Sequence, residues 1–257
     1  MSVVLSPRAT VADVQRSDVD HRPHRPEPAL NPLCVALDTT GRAELERLAE
    51  LTLQSAGVFK VGLAAFCSLG PEVVVDLVRQ RPVFLDLKLH DIPAQVAGAA
   101  GAAQALGVRY VTVHAAGGPE MVGAAARAAP GCEVLGVTVL TSLDQALLAR
   151  GGVSGTMGEQ VVRLAEIALE GGAAGLVCSP LEVAELRSRF GPRDAGGPLL
   201  VTPGIRAPKE DAEDQRRTLS AAEARAAGAD IVVVGRPITA APDPAAAARA
   251  LLEQLQA

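Results

Sequence analysis

The stretch Val83-Phe84-Leu85-Asp86-Leu87-Lys88-Leu89-His90-Asp91-Ile92-Pro93 is an apolar strand pattern carrying Asp86, Lys88 and Asp91 in close succession. Strand side chains alternate with period two, so Asp86 and Lys88 share one face while Leu85, Leu87 and Leu89 take the other. Charges taken out of water are costly unless closely paired, so this grouping at a strand end calls for a reason. Asp91 comes just before Ile92-Pro93, and proline is tolerated in a first helical turn, which places Asp91 on the loop between the strand and a helix. A surface ion pair would use the same residue types to little effect. The surrounding chain has to decide between the two.

From residue 33 onward, strand-like apolar runs alternate with segments of helical period. The runs are Leu33 to Leu37, Val58 to Gly62, Val83 to Lys88, Tyr110 to His114, Glu133 to Val139, Gly175 to Cys178, Leu199 to Thr202 and Ile231 to Gly235. Helices are expected around Ala43 to Ser55, Pro71 to Gln80, Ala94 to Leu106, Pro119 to Ala129, Glu159 to Glu170, Leu181 to Phe190, Ser220 to Ala227 and Pro244 to Leu255. Eight such units in about 220 residues fit a single-domain α/β fold, a (β/α)8 TIM barrel, better than a doubly wound sheet.

Met1 to Pro32 differ in character. Arg, Asp and Pro are frequent, and His21-Arg22-Pro23-His24-Arg25-Pro26-Glu27-Pro28 is poorly suited to regular structure. Residues 1–32 therefore read as a disordered extension and 33–257 as the barrel catalytic domain. His21 and His24 read as incidental in a Pro-rich tail. No apolar core follows a basic start as in a secretory signal, and Asp13, Asp18 and Asp20 weigh against a transit peptide.

With 257 residues, 49% of them hydrophobic, the chain can bury a large core. A net charge of −5, no Trp and 2% aromatic residues argue against a nucleic-acid partner. No apolar run approaches a membrane span. Cys34, Cys67, Cys132 and Cys178 are too scattered for a zinc site or a disulfide framework, and a reducing cytoplasm fits best.

In a (β/α)8 barrel the chemistry lies at the C-terminal ends of the strands. Polar residues fall there: Asp38 after strand one, Lys60 late in strand two, Asp86 and Lys88 in strand three, His114 in strand four, and Thr138 and Thr141 after strand five. Pro203-Gly204-Ile205-Arg206 follows strand seven and Gly235-Arg236 follows strand eight, where barrels often hold phosphate. Gly235 lets the backbone approach closely, and the forked Arg236 cation suits phosphate oxygens. The stretch from Gly151 to Gly158 follows no strand and reads as a flexible loop over the mouth, able to act as a lid.

With these features in place, the chain from about Leu33 onward resembles the orotidine 5′-phosphate decarboxylase family, in particular the bacterial group carrying Asp-Leu-Lys-x-His-Asp-Ile-Pro. The supporting motifs are Val35 to Asp38, Phe59 to Gly62, Asp86 to Pro93, Val113 to Gly118, Leu140 to Ser142, Val201 to Arg206 and Ile231 to Arg236. The resemblance implies that Lys88 donates a proton to C6 of the pyrimidine. It also implies an alternating charge network of Lys60, Asp86, Lys88 and Asp91, with Asp91 reaching into the neighbouring subunit's site of a homodimer. Asp38 and Lys60 are implied in holding ribose hydroxyls, Thr141 in contacting the base or phosphate region, and Arg206, Gln215, Gly235 and Arg236 in binding phosphate. One departure stands out: four residues after the second Asp, where the group usually has Thr, this chain has Gln95.

The implied substrate is a nucleoside monophosphate, in de novo pyrimidine biosynthesis, with no cofactor and no metal. Loss of CO2 from C6 leaves electron density in an sp2 orbital that the ring cannot delocalise, so a fixed ammonium must stabilise it. Two other readings compete. A metal-dependent 3-keto-L-gulonate 6-phosphate decarboxylase or related sugar-phosphate lyase also carries Asp-x-Lys-x-x-Asp, but His90 to Pro93 and Thr202 to Arg206 speak against it. A non-catalytic phosphate-binding barrel predicts a broken charge network, and this one is intact in sequence.

Overall fold

A computed structural model describes residues 31–204 and 219–256. The eight expected strands form there: β1 (Leu33–Ala36), β2 (Val58–Gly62), β3 (Val83–Leu89), β4 (Tyr110–His114), β5 (Glu133–Val137), β6 (Gly175–Val177), β7 (Leu199–Thr202) and β8 (Ile231–Val234). All pair in parallel in chain order, and β1 pairs with β8 to close the barrel. Their Val, Ile and Leu runs are buried, as strands covered on both faces must be.

Strand eight stops at Val234, one residue short of its apolar run, and strands one, five and six stop one or two residues early because the ladder becomes one-sided. Leu37 N–H still donates to Lys60 O, Thr138 N–H to Val177 O and Cys178 N–H to Val201 O. These residues lean on one neighbouring strand and leave the other, which starts the loops at the mouth. Strand three runs one residue longer than expected, through Leu89.

The helices cover the barrel with apolar stripes. In α1 (Arg42–Thr52) the buried residues are Leu45, Leu48, Ala49 and Thr52, spaced as one helical face. Three short helices escaped the sequence reading: α2 (Leu63–Leu69), α6 (Gln145–Arg150) and α10 (Arg236–Thr239), the other helices being α3 (Glu72–Val78), α4 (Pro93–Ala105), α5 (Gly118–Ala128), α7 (Met157–Glu170), α8 (Val183–Phe190), α9 (Ala221–Ala226) and α11 (Pro244–Gln256). At four to seven residues they are too short to show a period, although Asp144 caps α6 by accepting from Leu147 N–H at 2.9 Å.

The stretch 151–158 borders no part of the cavity at the strand ends. It links α6 to α7 and is tied down: Gln145 donates to Gly155 O and accepts from Met157 N–H, both at 2.8 Å, while Thr156 and Glu159 form a capping box. Residues 1–30 of the expected extension lie outside the described residues. Asn31 and Pro32, assigned to it in the sequence reading, make barrel contacts. The Asn31 side chain bonds Ser55 O and Leu33 N–H, each at 3.0 Å, and Pro32 O accepts from Val232 N–H.

Among the described residues no helix is long and apolar enough to cross a membrane. All four cysteines are free thiols, and only Cys67 is exposed.

Candidate active site

The C-terminal ends of the strands enclose a cavity of about 470 Å3, within the range of small-molecule sites. Asp38, Lys60, Asp86 and Lys88 border one side. Val137 and the loop Val139 to Thr141, with Val177 and Cys178, border another, and Pro203, Gly204, Gly235, Arg236 and Thr239 complete the rim. Gly204 has a φ of 85°, a conformation that favours glycine.

The charges alternate along one line. Lys60 Nζ donates to both Asp38 oxygens at 2.8 and 3.0 Å and lies 3.8 Å from Asp86 Oδ2. Lys88 Nζ donates to both oxygens of Asp86 at 2.8 and 2.7 Å. Lys60 and Asp86 are buried while Asp38 is open to solvent, so the network runs from the rim inward and back to the cavity. Burial works against the Lys60 ammonium, but Asp38 and Asp86 outweigh it and its pKa is raised above the ordinary lysine value.

The ion pair explains why position 62 is glycine. A Cβ there would sit 2.6 Å from Asp38 Oδ1 and 3.1 Å from Lys60 Nζ, so any side chain would push into the ion pair. The place of Gly62 was quoted in the Phe59 to Gly62 motif, but only the structure supplies the reason.

The local course of β3 is less regular than simple alternation. Pairing with β4 runs Phe84 to Tyr110 and Leu85 to Val111, then resumes only at Leu89 to Val113. Three residues of β3 therefore face one residue of β4, Thr112, and within this bulge Lys88 has a φ of 49°, the one positive φ of a non-glycine among the described residues. The backbone strain aims the ammonium into the cavity beside Asp86.

Other expected residues are placed as follows. Thr141 borders the cavity, as do Gly235 and Arg236, whereas Thr138 donates its hydroxyl to Val177 O at 3.1 Å instead. His114 is not among the lining residues; its ring packs on His90 with centroids 5.4 Å apart. Burial, then the neighbouring His90 and Lys88, lowers its pKa. Asp91 and Gln95 are exposed and border no part of their own chain's cavity, and the Asp91 carboxylate accepts from Ile92 N–H at 2.6 Å. Arg206 and Gln215 lie outside the described residues. Sequence reasoning missed Thr112, Gly62 and Cys178. The signal for Thr112 was a hydroxyl on the same strand face as His114. Among the described residues no group of three or more His, Cys, Asp or Glu side chains is arranged to hold a metal ion.

Fold and site together define a (β/α)8 barrel with an alternating ionic network at its mouth. The sequence profile of the orotidine 5′-phosphate decarboxylase / HUMPS family matches residues 31–251, and the chain belongs to that family. It is 54% identical over 221 residues to the orotidine 5′-phosphate decarboxylase of Anaeromyxobacter dehalogenans, covering 85% of this chain and 96% of that one. The enzyme of the same description from Thermobifida fusca is 48% identical, over 88% of this chain and 96% of its own. Among solved structures, the orotidine 5′-phosphate decarboxylase of Lactobacillus acidophilus superposes with a TM-score of 0.77 at 35% identity, over 88% of this chain and 99% of that one.

Two expectations follow. Gly62→Ala lowers kcat/KM at least about tenfold by displacing Asp38 from Lys60; an unchanged value contradicts the role given to that pair. For His114 the folded pKa lies below the unfolded one, so the unfolded state binds more protons as pH falls through about 6.5 and stability is lost. Urea unfolding at pH 7.5 and 5.5 is expected to show wild type losing more stability than His114→Gln, and equal losses contradict it.

Proposed function

We propose that this chain decarboxylates orotidine 5′-phosphate to uridine 5′-phosphate and CO2, a step of de novo pyrimidine biosynthesis. The observation that carries the reading is the unbroken line Asp38–Lys60–Asp86–Lys88 ending in a cavity whose rim also holds Gly204, Gly235 and Arg236. Its relatives of this name, 54% and 48% identical, support it.

In this reading the phosphate sits against the loops after β7 and β8, with Arg236 and Gly235, and with Arg206 and Gln215 from the segment between β7 and α9. Asp38 and Lys60 hold the ribose hydroxyls, and Thr141 contacts the base or phosphate region. The pyrimidine C6 then lies over the Lys88 ammonium. As the C–CO2 bond breaks, both its electrons stay on C6, and the adjacent positive charge stabilises them before Lys88 delivers its proton there. Asp86 holds that ammonium with two hydrogen bonds, so little reorganisation is needed during the reaction. Contacts to the remote phosphate supply binding energy that orients the ring.

Asp91 and Gln95 complete the site of the second subunit in a cytoplasmic homodimer. Asp91 lies open to solvent on its own chain at the start of α4, beside the exposed Ile92. Gln95 extends an amide where the group usually has Thr. Against a metal-held enediolate, the Asp86 carboxylate is already engaged by Lys88 and by the Thr112 hydroxyl, with Lys60 close by.

Loss of orotidine 5′-phosphate absorbance by EDTA-treated protein tests the activity; turnover of a sugar phosphate only with magnesium would move the chain to the metal-dependent branch. Lys88→Ala and Asp91→Ala are each expected to be nearly inactive. After mixing and subunit exchange, half of the dimers pair one of each and contain one intact site of two, so activity returns to about a quarter of wild type. No recovery despite verified exchange contradicts the shared site, and substantial turnover by Lys88→Ala refutes its role as proton donor.

A further inference from the structure

β4 contributes no residue to the lining of the cavity, yet its central side chain touches the charge network from behind. Thr112 is fully buried. Its hydroxyl donates to Asp86 Oδ1 at 2.9 Å and accepts the backbone N–H of Lys88, also at 2.9 Å. One oxygen thus joins the carboxylate that holds the Lys88 ammonium to the backbone that carries it.

The bulge explains why a side chain is needed. Regular pairing would give Lys88 N–H a carbonyl of β4, but the ladder is interrupted between Leu85 and Leu89. A buried N–H without a partner is costly, and a left-handed lysine adds strain, so the bulge needs a local acceptor. The Thr112 hydroxyl supplies it and spends its own proton on Asp86. A hydroxyl has both a donor and acceptors, which no aliphatic side chain of that size offers.

We infer that Thr112 is a positioning residue for the reaction: its hydroxyl fixes the Asp86 carboxylate and the strained Lys88 backbone in one geometry, and so sets where the ammonium stands relative to the substrate. The inference rests on the proposed role of Lys88 as proton donor. It assigns Thr112 no contact with the substrate. Its removal therefore slows the chemical step and leaves nucleotide binding largely alone, since the phosphate and ribose groups are held by other strands.

The test compares Thr112→Val, Thr112→Ala and Thr112→Ser with wild type in kcat and KM for orotidine 5′-phosphate and in the Kd of uridine 5′-phosphate by calorimetry. Valine keeps the shape and loses the hydroxyl. The expected result is a fall in kcat of about 10- to 100-fold, matching one lost hydrogen bond to a charged group, with KM and Kd within about twofold. Serine keeps the hydroxyl and is expected to stay within about threefold of wild type in kcat. Should valine fail to fold, the alanine and serine variants both lack the methyl group, so their difference isolates the hydroxyl. Wild-type kcat in Thr112→Val, or a serine variant as slow as the alanine one, overturns the inference. An inactive wild-type chain defeats the proposed function itself, a result read before any variant is compared.

Discussion

The structure depends on one carboxylate held between two ammonium groups. Asp86 is buried, receives both oxygens' worth of hydrogen bonding from Lys88, and lies 3.8 Å from Lys60. Removing one partner from such a buried pair costs about 3–5 kcal/mol, because the remaining charge is left uncompensated. The net charge along the line from Asp38 to Lys88 is zero, which is how four ionised groups share one end of a barrel. That balance leaves the Lys88 ammonium, at the end of the line, facing the cavity.

The barrel makes this arrangement possible by dividing labour among its strands. β1 and β2 bring Asp38 and Lys60, and Gly62 keeps the space between them free of a side chain. β3 carries Asp86 and Lys88 on a bulge, and β4 steadies that bulge through Thr112. The end of β7 supplies the Gly204 turn, and β8, which pairs with β1, supplies Gly235 and Arg236 at the same mouth. Each contribution comes from a strand end, where side chains leave the packed interior and the backbone is free to bend.

Much of this was legible in the sequence because parallel strands buried on both faces read as near-continuous Val, Ile and Leu runs. The eight runs gave the barrel, and its known polarity then placed Asp38, Lys60, Asp86, Lys88, Thr141, Gly235 and Arg236 at the mouth. What stayed hidden has identifiable causes. Thr112 reads as an ordinary β-branched strand residue, and its function arises from a register shift that leaves no mark in composition. Lys88 was expected to share the face of Asp86 by simple alternation; it does meet Asp86, but through a left-handed backbone. The stretch 151–158 was read as mobile from its glycines, while the capping by Gln145, Thr156 and Glu159 that anchors it depends on two helices at once. Asp91 and Gln95 project from one chain, and their proposed work requires a second.

The central claim is that the site is complementary to negative charge at C6, supplied by the fixed Lys88 ammonium. The most direct measurement is the affinity of a uridine 5′-phosphate analogue bearing an ionised oxygen at C6, relative to uridine 5′-phosphate itself, for wild type and Lys88→Ala. A site built for the developing carbanion binds the anionic analogue at least about a hundredfold more tightly, and Lys88→Ala loses that preference while binding uridine 5′-phosphate much as before. Equal affinities in wild type, or a preference that survives the loss of Lys88, would contradict the account.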